Sequence, residues 1–209
     1  MTGFDADFRD ELWRLLRMRR DVRHFRTDPV DSDVIDDCLR SFSLAPSVGL
    51  SEPWRVVRVN DPARRIAARE NFRAANADAL AGYSGDDAKI YAGLKLSGMD
   101  DAPVQIAVFS EDNTTKGKGL GAGTMPEMKA YSCVSAIMQF WLLLRAHRIG
   151  LGWVSILDPE QLTRDLDVPS HWRLIGYFCI GYPLTEEESP ELERLGWEKR
   201  QDLPALLER

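Results

Sequence analysis

Residues 128–148 carry Tyr131, Val134, Ile137, Met138, Trp141, Leu142 and Leu144. At 3.6 residues per turn these positions spread over much of a helix circumference. Such a helix is buried on several sides, so the chain has to fold around it. Two runs of strand length offer partners: residues 104–109 and residues 174–180 are nearly continuous in apolar side chains, the pattern of buried strands. A second subunit is a further source of burial, because a large apolar surface is unusual on a monomer.

The remaining segments arrange themselves about that core. Asp5 is placed to cap a first helix with Phe8, Leu12, Leu15 and Leu16 at helical spacing, and Asp31 to cap a second with Val34, Ile35, Cys38, Leu39 and Phe42 on one face, stopping at Ala45-Pro46. A turn-rich loop, Ala45-Pro46-Ser47-Val48-Gly49, precedes a strand at residues 55–59, and Asp61-Pro62 opens a third helix. From there to Lys95 the chain reads as helical but weakly apolar, interrupted by Gly82, Gly85 and Gly93. We read it as a mobile excursion, a lid over about residues 80–100, and not as core. Gly117, Gly119, Gly121 and Gly123 complete no nucleotide fingerprint, so residues 111–127 read as a flexible loop. Gly150-Leu151-Gly152 ends the long helix and leads into a strand signal at residues 153–156. Asp158-Pro159 starts a short helix, and Gly181 closes the second apolar strand. Residues 182–209 form a polar extension that either wraps a partner or frays.

With 209 residues, 44% apolar and 29% charged, the chain is long enough for one domain with a substantial core, and short for two. A net charge of −6 argues against a nucleic-acid or anionic-membrane partner, which needs a broad basic face. Cys38, Cys133 and Cys179 lie far apart in apolar runs, which suits reduced thiols in the cytoplasm. No apolar run approaches ~20 residues, and the first ten residues hold no apolar export segment, so neither membrane spanning nor export is expected. His24, His147 and His171 show no ligand spacing, so no protein-ligated metal is expected.

Against this acidic background stands a compact cation cluster, Arg19-Arg20-Asp21-Val22-Arg23, flanked by Arg17 and Arg26. Guanidinium forks hold phosphate oxygens in paired, planar geometry, which points to a small phosphorylated ligand; the alternative is a solvated charged face. Asp21, inside the cluster, is either a strut orienting the arginines or a carboxylate kept ionised near a reacting centre.

Arg19-Arg20-Asp21-Val22-Arg23, Pro46-Ser47, Pro53-Trp54, Leu94-Lys95-Leu96-Ser97-Gly98 and Gly150-Leu151-Gly152-Trp153-Val154-Ser155 together resemble the BluB family of 5,6-dimethylbenzimidazole synthases, a branch of the FMN-binding nitroreductase-like fold. The resemblance runs from about residue 12 to about residue 203. It implies an α+β nitroreductase-like fold, a central mixed β-sheet flanked by helices, in an intertwined homodimer with FMN sites lined by both chains. Arg19, Arg20 and Arg23 would meet the flavin phosphate and ring edge, with Arg200 as a further phosphate contact. Ser47 and Lys95 would be polar flavin contacts, and Gly150 and Gly152 would bring backbone close to the ring face. Asp21 matches the family's catalytic aspartate and Ser155 its functional serine.

The implied reaction is the fragmentation of reduced FMN, with molecular oxygen as co-substrate, to dimethylbenzimidazole, the lower ligand of vitamin B12, and erythrose 4-phosphate. A separate flavin reductase would supply the reduced FMN. Two stretches depart from the family pattern: Glu52-Pro53-Trp54 stands where relatives have Gln-Pro-Trp, and Thr124-Met125-Pro126-Glu127 differs as well. Two other readings share many of these residues. An NAD(P)H-dependent nitroreductase with a retained FMN gives Asp21 and Ser155 no special task, and a non-catalytic flavin-binding protein needs no acid/base at all.

Overall fold

The structure is a computed structural model that describes residues 3–93, 97–201 and 204–205. The two apolar runs pair with each other at the centre of one sheet. Its strands are β1 (Trp54–Arg58), β2 (Val104–Glu111), β3 (Gly150–Val154) and β4 (Trp172–Gly181), in the order β1-β2-β4-β3, with every neighbour antiparallel. The mixed character expected of the sheet is confined to one isolated parallel bridge, Asp21 to Leu151.

Side chains alternate across the two central strands, as a period of two requires. Ile106, Val108, Phe178 and Ile180 face one hydrophobic cluster, and Ala107, Phe109, Tyr177 and Cys179 the other. Three acidic caps start helices as expected. Asp5 accepts from the N–H of Phe8 at 2.9 Å and opens α1 (Ala6–Met18), Asp31 accepts from Asp33 and opens α2 (Ser32–Leu39), and Asp61 accepts from Ala63 and opens α3 (Pro62–Ala81). Then come α4 (Gly85–Gly93), α5 (Gly98–Asp101), α6 (Met128–Ala146), α7 (Pro159–Asp165), capped by Asp158, and α8 (Glu191–Arg194).

The long apolar segment is α6. Ile137, Phe140, Trp141 and Leu144 fill the first cluster with Ile35, Cys38 and Phe42. Its other side leaves Tyr131, Val134 and Leu143 exposed, and α1 buries no residue: Phe8, Leu12, Trp13 and Leu16 all stay exposed.

Three expectations change. First, α3 and α5 are partly core: Ala68 is 0% exposed and Met99 is buried with it. Alanine adds little apolarity to a sequence window, yet its small side chain lets a helix pack closely. Second, β3 begins at Gly150 and stops at Val154, before Ser155. The turn that ends α6 falls at Arg148, whose φ of 63 is left-handed, so Gly150 and Gly152 are free to join the ladder opposite Gly181 and Cys179. Third, the polar extension folds back on its own chain: Arg26 donates its N–H to Tyr182 O at 2.8 Å and Leu184 to His24 O at 3.0 Å.

Residues 112–127 form turns packed on the loop after α2. A Cβ at Gly117 would lie 2.7 Å from Gly49 O. Lys116 forms an ion pair with Glu52. The three cysteines are free and buried. No helix among the described residues is long and apolar enough to cross a membrane.

A Cβ at Gly152 would lie 2.1 Å from Val22 O, a backbone atom that cannot swing aside. Gly152→Ala is therefore expected to destabilise the fold by about 1–3 kcal/mol, read from the urea midpoint at unchanged slope. Gly3→Ala, with nothing within 4 Å of its Cβ, serves as the control. A wild-type midpoint for Gly152→Ala would refute the packing argument.

Candidate active site

The arginine cluster is placed by backbone. Leaving α1 at Arg19, the chain runs as a strap beside β3: Val22 donates its N–H to Leu151 O at 3.0 Å, and Asp21 Oδ1 accepts the N–H of Trp153 at 2.8 Å. Phe25 anchors the far end in the core and bridges to Pro183. The strap is thus clamped between β3 and the chain leaving β4. Within this chain the close approach that Gly150 and Gly152 permit is to Val22.

Along the strap, the Arg19 guanidinium lies 4.7 Å from the centroid of the Trp141 ring, a cation–π contact. Trp141 in turn packs on Trp153, with centroids 6.5 Å apart. Arg20 donates to Arg19 O at 2.7 Å and to Glu188 O, while its buried Nε meets no partner among the described residues. Arg23 Nε is 3.4 Å from Glu191 Oε2 and 4.0 Å from Asp21 Oδ2. His24 Nδ1 is 3.1 Å from Ser97 Oγ, and its Nε2 is 3.9 Å from Glu191 Oε1.

These side chains border a cleft of about 840 Å³ whose lining includes Arg20, Asp21, Arg23, Trp141, Arg145 and Gly150. Arg19, Ser47, Gly152, Ser155 and Arg200 are not among its lining residues. Lys95 lies outside the described residues. Ser155 is exposed immediately beyond β3, two residues after the Trp153 N–H that holds Asp21. Ser47 Oγ accepts the N–H of Glu52 at 3.2 Å, on a loop where Gly49, Leu50 and Glu52 all have positive φ.

Desolvation first, then repulsion from Arg200, holds the Arg19 guanidinium below its ordinary pKa. The same two causes, followed by Arg19 and Arg145, act on Arg20. Arg200 is thus within electrostatic reach of both. A cluster of cations that repel one another, with an unpartnered buried Nε in its midst, is stabilised by a multiply charged anion, and a flavin phosphate fits it.

Asp21 is raised above the ordinary carboxylate value. Crowding by protein is the largest cause and outweighs the Trp153 N–H, Arg23 and Arg19, which favour the charged form; nearby Glu191 adds to the rise. With 44% of its side chain still exposed, this is partial desolvation at the cleft wall and not enclosure. The strut role is weak, since Arg23 is 4.0 Å away while the Trp153 bond is 2.8 Å.

Sequence reasoning did not pick out four residues here: Trp141 and Arg145 as site residues, and His24 and Glu191. Arg145 left a readable signal, a lone cation near the end of an apolar helix. It is 9% exposed and bound to both carboxylate oxygens of Glu186, at 3.0 and 3.3 Å. Glu191 left none, because its pairing with Arg23 spans most of the chain.

A profile described as "Nitroreductase family" matches residues 16–182. A Rhodospirillum rubrum protein named "5,6-dimethylbenzimidazole synthase" is 50% identical over 203 residues, 97% of this chain and 96% of the relative. A Rhodobacter capsulatus protein of the same name is 46% identical over 207 residues, 99% of each. The fold is similar to that of an iodotyrosine deiodinase bound to FMN and 3-iodo-L-tyrosine, with a TM-score of 0.74, 19% identity and coverage of 94% of this chain and 97% of that one. The chain therefore belongs to the nitroreductase family, and within it to the BluB family of 5,6-dimethylbenzimidazole synthases.

Proposed function

We propose that the protein is a 5,6-dimethylbenzimidazole synthase that fragments reduced FMN, with molecular oxygen, to dimethylbenzimidazole and erythrose 4-phosphate. The observation that carries this reading is Asp21, a carboxylate of raised pKa fixed to β3 by the Trp153 N–H inside a cluster of arginines, in a chain half identical to a protein of that name.

Arg19, Arg20 and Arg200 hold the phosphate through charge-assisted bonds, with Trp141 backing Arg19. Arg23 meets the ring edge. Reduced FMN, when bound, supplies the electrons and the carbon framework of the product. Asp21 Oδ1 is committed to Trp153 N–H, so proton uptake and return would fall to Oδ2. A carboxylate raised toward neutrality suits that task. Ser155, on the same edge of the sheet, supplies a hydroxyl, and Ser47 and Lys95 polar flavin contacts.

Ser47 does not line the cleft of its own chain, which accords with a homodimer whose sites draw on both copies. The exposed apolar residues of α1 and α6 are the surface a second copy would cover. The buried free thiols accord with a cytoplasmic location, where a separate flavin reductase would deliver reduced FMN. The whole chain acts as a single domain on this reading.

Incubated aerobically with excess chemically reduced FMN, the protein is expected to release dimethylbenzimidazole, detected by chromatography; oxidised FMN as the sole flavin product would refute the assignment. Asp21→Asn keeps an oxygen for Trp153 N–H but loses the proton carrier. Product formation should fall roughly 10²–10⁴-fold with little change in FMN affinity, and near-normal yield would remove Asp21 from the chemistry. Sedimentation in the presence of FMN is expected to show a dimer, and a flavin-loaded monomer would overturn the shared-site reading.

A further inference from the structure

Three aromatic rings from distant parts of the chain meet in one cluster. Tyr83, just past α3, stacks on Tyr91 of α4 with centroids 4.7 Å apart, and Trp197, beyond α8, packs edge-on against Tyr83 at 5.4 Å and lies 6.3 Å from Tyr91. Each partner is tied down on its own side. Tyr91 donates its hydroxyl to Asn76 Oδ1 of α3 at 2.9 Å. Trp197 donates its N–H to Leu192 O of α8 at 2.9 Å, after a left-handed turn at Gly196 with φ +77. The helix α8 is itself held to the strap by Glu191, which reaches Arg23 and His24.

Beyond Trp197 the described residues run along the surface. Residues 198–201 are exposed, and Glu198 accepts the N–H of its neighbour Lys199 at 2.8 Å. Arg200 follows Trp197 by three residues, a reach of about 10 Å at full extension. Its position is thus set by where the Trp197 ring is held.

We propose that Tyr83, Tyr91 and Trp197 form an aromatic clasp that positions Arg200 against Arg19 and Arg20, making Trp197 a positioning residue for recognition of the phosphate of a phosphorylated flavin. This rests on the reading of the arginine cluster as the FMN phosphate site. Arg200 is within electrostatic reach of Arg19 and Arg20, whose charged forms it opposes. A clasp of this kind links the α3–α4 hairpin to the C-terminal segment, so Arg200 is placed by a helix pair that carries none of the other phosphate ligands.

The test compares FMN with riboflavin, which lacks the phosphate, by flavin fluorescence on the full-length protein. Arg200→Gln should weaken FMN roughly tenfold and leave riboflavin unchanged, the effect of losing one charge-assisted contact. Trp197→Ala should do the same, Trp197→Phe should restore most of the loss, and the double variant Trp197→Ala/Arg200→Gln should be no worse than Arg200→Gln alone. Tyr83→Ala, at an exposed position, opens the clasp from the other side and should reproduce the loss should Trp197→Ala fold poorly. If Arg200→Gln loses the preference for FMN while Trp197→Ala and Tyr83→Ala keep it, the clasp is refuted and the phosphate site stands. If Arg200→Gln keeps the preference, the role of Arg200 at the phosphate fails, and the clasp proposal with it. Equal weakening of FMN and riboflavin by Trp197→Ala marks a merely structural role and also overturns the proposal.

Discussion

The Val22 carbonyl oxygen occupies the space where a side chain at position 152 would begin, and the rest of the site depends on that contact. Arginines crowded together repel one another, so charge alone would drive the strap off the sheet. It stays because Val22 donates its N–H to Leu151 O and the Asp21 carboxylate accepts the Trp153 N–H, because Phe25 is buried at its end, and because glycine at 150 and 152 lets the two backbones close to packing distance. A buried backbone group left unpaired costs about as much as a lost hydrogen bond, so peeling the strap away forfeits several at once. Backbone pairing and packing hold the cations in an arrangement that a bound dianion would relieve.

The acidic residues of the C-terminal segment moderate the same strain. Glu186 holds Arg145, Glu191 stands beside Arg23, and the Glu188 carbonyl accepts from Arg20. They leave the Nε atoms of Arg20 and Arg145 buried without a partner among the described residues. Carboxylates attached to the chain neutralise part of the positive charge without supplying the three oxygens of a phosphate. Asp21 belongs to neither set: its one short hydrogen bond is to the sheet, and its second oxygen lies 4.0 Å from Arg23 Nε. A group anchored at one oxygen and partly desolvated at the other is suited to move a proton, whereas a carboxylate locked between guanidinium groups would stay ionised.

Glu52 shows how a departure from the family pattern is absorbed. An amide at this position can donate, and an ionised carboxylate cannot; here the carboxylate pairs with Lys116, on the turns that pack against Gly49. The loop carrying Ser47 is braced by that pairing and by the Glu52 N–H, which Ser47 itself accepts.

Much of the architecture was legible in the sequence because it rests on local chemistry. Asp5, Asp31, Asp61 and Asp158 cap helices by bonding to backbone within three residues, and the two apolar runs, of strand length, became the central strands buried on both faces. The arginine cluster and Asp21 stood out for the same reason, as consecutive residues. Other features depend on parts of the chain that meet only when folded. Ala68 and Met99 are core because the sheet's second face covers them, and positions 150 and 152 need glycine because Val22 packs where a side chain would begin. Glu191 reaches Arg23 and Trp197 meets Tyr83 across more than a hundred residues. By itself the sequence determined which segments become helix or strand, and which cations and carboxylate are available for chemistry, since caps, periodicity and charge act between neighbours. Only the tertiary structure decided which oxygen of Asp21 is free, which arginines crowd one another and which rings clasp, because each of these is a distance between residues that the chain does not place side by side.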